Sequence, residues 1–112
     1  MLLTFDTEID MCAAEQVMLR ATIQELLNAG WKLDAFADSE EEVTVSTIEE
    51  VIKHIAGIED YFHIFFIRGE GEYIRYGWIS YIPGNGVDCI SDYSVSIFDF
   101  PKHVYEKVSR FF

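Results

Sequence analysis

Two long segments in the second half of the chain alternate at period 2, and this feature constrains the fold more than any other. They are residues 61–68 and 73–82, joined by a Gly-Glu-Gly-Glu turn at 69–72. A second turn at 83–86 contains an Asn-Gly pair, which suits the left-handed backbone of hairpin turns. A third strand follows at 87–93. The pattern therefore predicts three consecutive antiparallel strands.

Aromatic residues are dense in these strands, and we interpret them as core and cross-strand pairs rather than as platforms for nucleic-acid bases. Base-stacking surfaces require Lys and Arg residues around the rings, and these strands contain few of them. The residues in question are Tyr61, Phe62, Phe65, Phe66, Tyr73, Tyr76, Trp78 and Tyr81.

The first half of the chain is predicted to form a helix followed by a hairpin. Apolar residues recur at helical spacing over 7–29, and Gly30 supplies the stop. Alternation over 31–45 predicts the hairpin. The helical pattern assigns five residues to the solvent side: Asp10, Glu15, Thr22, Glu25 and Asn28.

A capping box predicts where the second helix begins. Ser46 and Glu49 stand in the Ser-x-x-Glu spacing directly before apolar residues at helical intervals. Gly57 is expected to close this helix.

The tail from Pro101 to Phe112 is predicted to form a last helix, with inward residues Val104, Tyr105, Val108 and Phe111. The order α-β-β-α-β-β-β-α predicts a single α+β domain over 1–112. It would hold one mainly antiparallel sheet of about five strands with helices packed on it. Because the strands are apolar on both faces, we expect a central sheet covered by helices.

The net charge of −12 is confined to one part of the chain. Residues 1–72 carry 16 of the 20 acidic residues and four of the eight basic ones, whereas residues 73–112 are balanced. A negative field repels nucleic acid and anionic membranes. It favours a basic protein partner, although acidic surfaces also serve solubility alone.

Cys12 and Cys89 are too few for a disulfide framework, and the start of the chain lacks the features of a signal peptide. We therefore expect a cytoplasmic protein. No apolar run approaches the ~20 residues that a membrane span requires.

No motif for catalysis, metal or cofactor binding stands out. The three histidines, His54, His63 and His103, lack ligand spacing, and the serines and cysteines lack a nucleophile signature. The acidic stretch after Asp34 fails the spacing of a calcium-binding loop. We expect no cofactor, no metal and no enzymatic activity.

The acidic clusters are the candidate partner-binding residues, because they fall at a hairpin tip, a helix start and a loop, where side chains are exposed. They are Asp38, Glu40, Glu41, Glu42, Glu49, Glu50, Glu59 and Asp60.

Residues 77–94 carry a pattern that resembles small orphan proteins of bacteria, phages and plasmids. The matching residues are Gly77-Trp78-Ile79, Gly84-Asn85-Gly86 and Ile90-Ser91-Asp92-Tyr93-Ser94. The resemblance implies a helix-hairpin-helix-meander-helix plan and an origin in a mobile element. By analogy, small acidic phage proteins occupy the basic, nucleic-acid-binding surfaces of host proteins.

Four functions stay open at this stage. The first is an inhibitor of a host defence or nucleic-acid-handling protein, and the second is a toxin-immunity-type protein. The third is a small enzyme with an unrecognised site. The fourth is a homodimer joined through a sheet edge or the aromatic tail.

Overall fold

Five strands form one antiparallel sheet, and the predicted α+β class and order of elements are confirmed. The computed structural model describes residues 5–38, 40–57, 60–97 and 99–112. Every neighbouring pair of strands is antiparallel, in the order β2-β1-β3-β4-β5. The strands are β1 (Lys32–Ala37), β2 (Glu42–Thr44), β3 (Phe62–Arg68), β4 (Arg75–Tyr81) and β5 (Ile90–Tyr93).

Three helices lie in the part of the chain that the structure describes: α1 (Ala13–Asn28), α2 (Ile48–Ile55) and α3 (Asp99–Val108). Short 3₁₀ turns cover Gly71–Tyr73, Gly86–Asp88 and Val95–Ile97. Within the described ranges, no helix combines the length and the apolar character needed to cross a membrane.

Helix α1 is the central helix and is buried on nearly all sides, because it contacts α2, α3 and β1. The prediction that Glu15 and Thr22 face solvent is therefore wrong, since both are buried. The helix also begins at Ala13 rather than at 7. Burial on several sides removes the polar face that an amphipathic pattern assumes.

Helix α2 begins one residue later than the predicted capping box. Thr47 is the N-cap, and its Oγ1 accepts the backbone N–H of Glu50 at 3.2 Å. Ser46 Oγ donates to Glu50 Oε1 at 2.9 Å. The box is thus Thr47 with Glu50, and Glu49 is left to interact with α1.

Helix α3 also differs from its prediction. It starts at Asp99, so Pro101 lies in the first turn, where its missing N–H costs no helical hydrogen bond. Val104 and Val108 are buried as expected. The helix ends at Val108, however, and Tyr105 and Phe111 are 38% and 69% exposed rather than inward.

Alternation along β3 separates the two faces of the sheet. Phe62, Ile64 and Phe66 are fully buried in the core together with residues of all three helices. The alternate residues of the strand, His63, Phe65 and Ile67, are only half-buried. One face of the sheet therefore packs against the helices.

Close packing at Gly77 fixes the return of the chain after β5. A Cβ atom at this position would lie 2.9 Å from Ile97 Cγ2 and 3.3 Å from Trp31 Cζ3. Gly77 thus lets the turn at 95–97 lie directly on β4. Gly77 therefore has a packing role within the pattern of residues 77–94.

Candidate functional site

The tip of the β1–β2 hairpin is an ordered acidic turn. Asp38 Oδ1 accepts the backbone N–H groups of Glu40 and Glu41, each at 2.8 Å. These hydrogen bonds, from Glu40 and then Glu41, hold the pKa of Asp38 below its usual value. Asp38 therefore organises the turn, and the side chains of Glu40, Glu41 and Glu42 are exposed around it.

The structure places Glu49 and Glu50 in a different role. Glu49 pairs with Arg20 of α1, and a second contact joins Arg20 Nη2 to Glu49 Oε2 at 3.4 Å. The Arg20 hydrogen bond lowers the pKa of Glu49, and hydrogen bonds from Ser46 and then Thr47 lower that of Glu50. Both carboxylates thus make contacts that fix α2, and the Glu49 side chain remains 58% exposed.

Asp60 lies at the same end of the sheet as the acidic turn. His63 of β3 is paired with Ala37, the last residue of β1, and β3 begins two residues after Asp60. Asp60 Oδ1 accepts the backbone N–H of Tyr61 at 2.8 Å. The eighth candidate, Glu59, lies outside the described residues. Of the predicted set, the structure brings Asp38, Glu40, Glu41, Glu42 and Asp60 to one end.

Among the described residues, no Lys or Arg forms an ion pair with Glu40, Glu41 or Glu42 of the acidic turn. Within the described ranges, the pair between Arg20 and Glu49 is the single ion pair. The three exposed glutamates of the turn therefore have no Lys or Arg partner in that part of the chain. These side chains are exposed, so salt in the solvent screens their charges.

The face of the sheet opposite the helices is open among the described residues. The half-buried hydrophobic residues that pack on the core do not include Phe65, Ile67 or Trp78. The smallest dimension of the molecule is 21 Å, which corresponds to one helix layer on one sheet. The expectation that helices cover a sheet apolar on both faces is therefore wrong for this face.

Aromatic side chains occupy this open face, where Phe65 and Trp78 form one of the expected cross-strand pairs outside the core. We call Tyr61, His63, Phe65, Tyr76 and Trp78 the aromatic patch. Its ring centroids lie 5.4 Å apart between Tyr61 and His63, and 5.8 Å between His63 and Trp78. Tyr76 is 70% exposed and Tyr61 is 49% exposed. Tyr and Trp tolerate such positions because each has an apolar ring and a polar tip.

One row of paired residues crosses all five strands on the open face. It runs Glu42, Ala37, His63, Ser80 and Asp92. Paired residues in antiparallel strands project on the same side, so the row carries a carboxylate at each edge of the sheet with His63 between them. A sequence signal for this arrangement is the position of His63 between Phe62 and Ile64, which are both core residues.

Ser80 and His63 form a hydrogen bond of 2.7 Å between Oγ and Nδ1. A nucleophile and a base stand at such a distance in hydrolases, where a third group orients the base. Here Ser80 is only 5% exposed, and Asp92 accepts the backbone N–H of Tyr93. In the described part of the chain no carboxylate bonds to His63. The pair is well explained as a tether between β3 and β4.

A cleft of about 520 Å³ lies where α1 begins and β4 ends. Its wall includes Glu15, whose Oε1 accepts Tyr81 Oη and Gly84 N, both at 2.9 Å. Burial, followed by the Glu15 hydrogen bond, raises the pKa of the Tyr81 hydroxyl. Burial and then Glu15 also raise the pKa of the Cys89 thiol. Both groups stay protonated at neutral pH. Because the Tyr81 hydroxyl keeps its proton, it can donate to Glu15 and anchor α1 to the sheet.

Sequence reasoning missed Glu15, although a signal was present. Glu15 stands three residues after Cys12 and four before Leu19, so it shares the spacing of the apolar positions. The prediction assigned Glu15 to the solvent side because it is charged, although its spacing matched the buried face. Among the described residues, no group of three His, Cys, Asp or Glu side chains could hold a metal ion.

No protein-family model, curated protein or solved structure matches this chain.

Proposed function

We propose that this chain is a non-enzymatic, acidic protein-binding domain that docks on a basic surface of another protein. One observation carries the proposal: Glu40, Glu41 and Glu42 are exposed in consecutive positions on a turn that Asp38 holds in place. A fixed turn loses little conformational entropy when it binds, so its charges are ready to pair.

Binding would be electrostatic and steric. The glutamates would take the positions where phosphates lie on a nucleic-acid-binding protein, opposite its Lys and Arg side chains. The net charge of −12 would also speed the encounter with a basic partner. The target class that fits this chemistry is a nucleic-acid-handling or defence protein of a host cell.

The resemblance of residues 77–94 to orphan phage and plasmid proteins supports a mobile-element origin. The cysteines Cys12 and Cys89 are free, which suits a reducing cytoplasm. We propose this compartment and this origin together with the inhibitory role.

The test is a pull-down from host lysate with three forms of the tagged chain. The first is unchanged, and the second carries Glu40→Lys, Glu41→Lys and Glu42→Lys. The third is a matched control with the same change in net charge away from the turn, at Glu70, Glu72 and Glu106. A basic protein retained by the first and third forms, and released by high salt, supports the proposal. Equal retention by all three forms contradicts it.

A further inference from the structure

The aromatic patch is a surface feature that the acidic turn does not explain. Its residues belong to β3 and β4 or directly precede β3, and both strands are paired on each side. Their backbone groups are therefore engaged within the sheet, and only side chains face outward. Single-chain proteins rarely expose contiguous apolar patches of this kind unless a partner covers them, and aromatic residues are enriched at interfaces.

Carboxylates border the patch at the end near His63, whereas Lys32, which pairs with Ile67 on the same face, is exposed at the other end. Glu42 and Asp92 end the row that contains His63, on the edge strands β2 and β5. Both side chains are exposed. Glu40 and Glu41 extend the acidic border beyond the end of β1. A surface of rings bordered by carboxylates complements arginine, whose planar guanidinium stacks on aromatic faces and bonds to carboxylates in a fork.

A second copy of the chain fits this face poorly. Two copies would each bring a net charge of −12 to the contact. A two-fold interface uses the same patch twice, so each copy would bring its carboxylates to the contact. Nucleic acid is also disfavoured, since its bases could stack on the rings but its phosphates would meet carboxylates.

We propose that the open sheet face, through the aromatic patch and its border of Glu42 and Asp92, binds an arginine-rich segment of the partner that also carries apolar side chains. This inference rests on the proposed function and adds to it the contact surface and the chemistry of the partner. The acidic turn would attract the partner, and the patch would supply the short-range contacts.

A defined peptide tests the proposal without knowledge of the partner. The probe is a ten-residue peptide of alternating Arg and Leu, compared with peptides of alternating Arg and Ser and of alternating Glu and Leu. Trp78 reports on binding because it is half-buried within the patch, whereas the other tryptophan, Trp31, is buried in the core. We expect Trp78 fluorescence to change most with the Arg-Leu peptide.

Two exposed tyrosines can be changed with little risk to folding. We expect Tyr61→Ser with Tyr76→Ser to weaken the Arg-Leu peptide roughly tenfold or more, as loss of interface aromatics does. Tyr105→Ser, on α3 in the helix layer, is the matched control and should bind as the unchanged chain does. Chemical-shift mapping on the unchanged chain provides a second measurement that needs no variant, with shifts expected at His63 and Phe65.

The outcomes separate this inference from the proposed function. If the tyrosine variant binds like the control while the triple Glu→Lys variant does not, the acidic turn alone binds and the inference is wrong. Absence of any peptide binding, or shifts confined to the turn, overturns it as well. Light scattering that shows a dimer dispersed by the tyrosine changes would assign the face to a second copy. Binding of single-stranded DNA to the patch would likewise contradict it.

Discussion

Tyr81 of β4 donates a hydrogen bond to Oε1 of Glu15 on α1, at 2.9 Å and across 66 residues of sequence. The backbone N–H of Gly84 donates to the same oxygen. The carboxylate thereby joins the start of the central helix to the end of β4 and to the turn that follows. Because it is buried, its two donors replace the hydration that it loses on folding.

Tyr81→Phe should therefore destabilise the protein. The change removes one donor from a buried carboxylate, and we expect the free energy of unfolding to fall by about 1–3 kcal/mol. Urea denaturation measures this difference. Tyr105→Phe, at an exposed position, should stay within about 0.5 kcal/mol of the unchanged chain. Equal midpoints for Tyr81→Phe and Tyr105→Phe would show that the contact contributes nothing.

Thr22→Val should stabilise the protein. Thr22 Oγ1 is buried and has no hydrogen-bond partner among the described residues. Valine has a similar shape and removes this hydroxyl, so we expect a gain of about 1 kcal/mol in a thermal melt. Thr22→Ser separates the effect of the hydroxyl on stability from that of the methyl group, since it keeps the hydroxyl and removes the methyl. A loss of stability in the valine variant would mean that the hydroxyl is satisfied in solution.

Thr47→Ala should cost more stability than Ser46→Ala. Thr47 Oγ1 is the acceptor that caps α2, whereas Ser46 Oγ donates to the side chain of Glu50. Loss of an N-cap costs about 1 kcal/mol, and we expect this for Thr47→Ala in urea denaturation. The reverse order would restore the capping box to Ser46 and Glu49.

High pH should unfold the protein through Cys89 and Tyr81. Burial raises the pKa of both groups above their ordinary values of 9.0 and 10.0. As the pH rises through those values, the unfolded chain loses protons that the folded chain keeps, so unfolding becomes more favourable. The stability is complete below about pH 9 and declines above it. Cys89→Ala should flatten the first part of this decline in a series of urea titrations. An unchanged slope would contradict the assignment.

Local signals were sufficient for the element order. Period 2 and the turn at 69–72 located β3 and β4, because alternation reports a strand wherever one face is buried. The start of α2 was misplaced by one residue, since Ser46 and Thr47 are both good caps and only the backbone conformation selects between them. Thr47 has the extended backbone of an N-cap.

Which apolar residues are covered could not be predicted from pattern alone. Phe65 and Phe66 are identical in type and adjacent, yet Phe66 is fully buried against the helices and Phe65 is on the open face. The difference arises because all three helices pack on one side of the sheet, which is a property of the tertiary structure. Tertiary structure also explains the burial of Glu15, because α1 contacts other elements on several sides.

Calorimetry on the captured basic protein, at low and high salt, measures the proposed electrostatic docking most directly. We predict that affinity falls steeply with salt, and that the variant with Glu40→Lys, Glu41→Lys and Glu42→Lys loses at least tenfold at low salt, as removal of several ion pairs does. The control with reversals at Glu70, Glu72 and Glu106 should lose much less. If both variants bind equally, or if salt has no effect on the unchanged chain, the acidic turn is not the binding site.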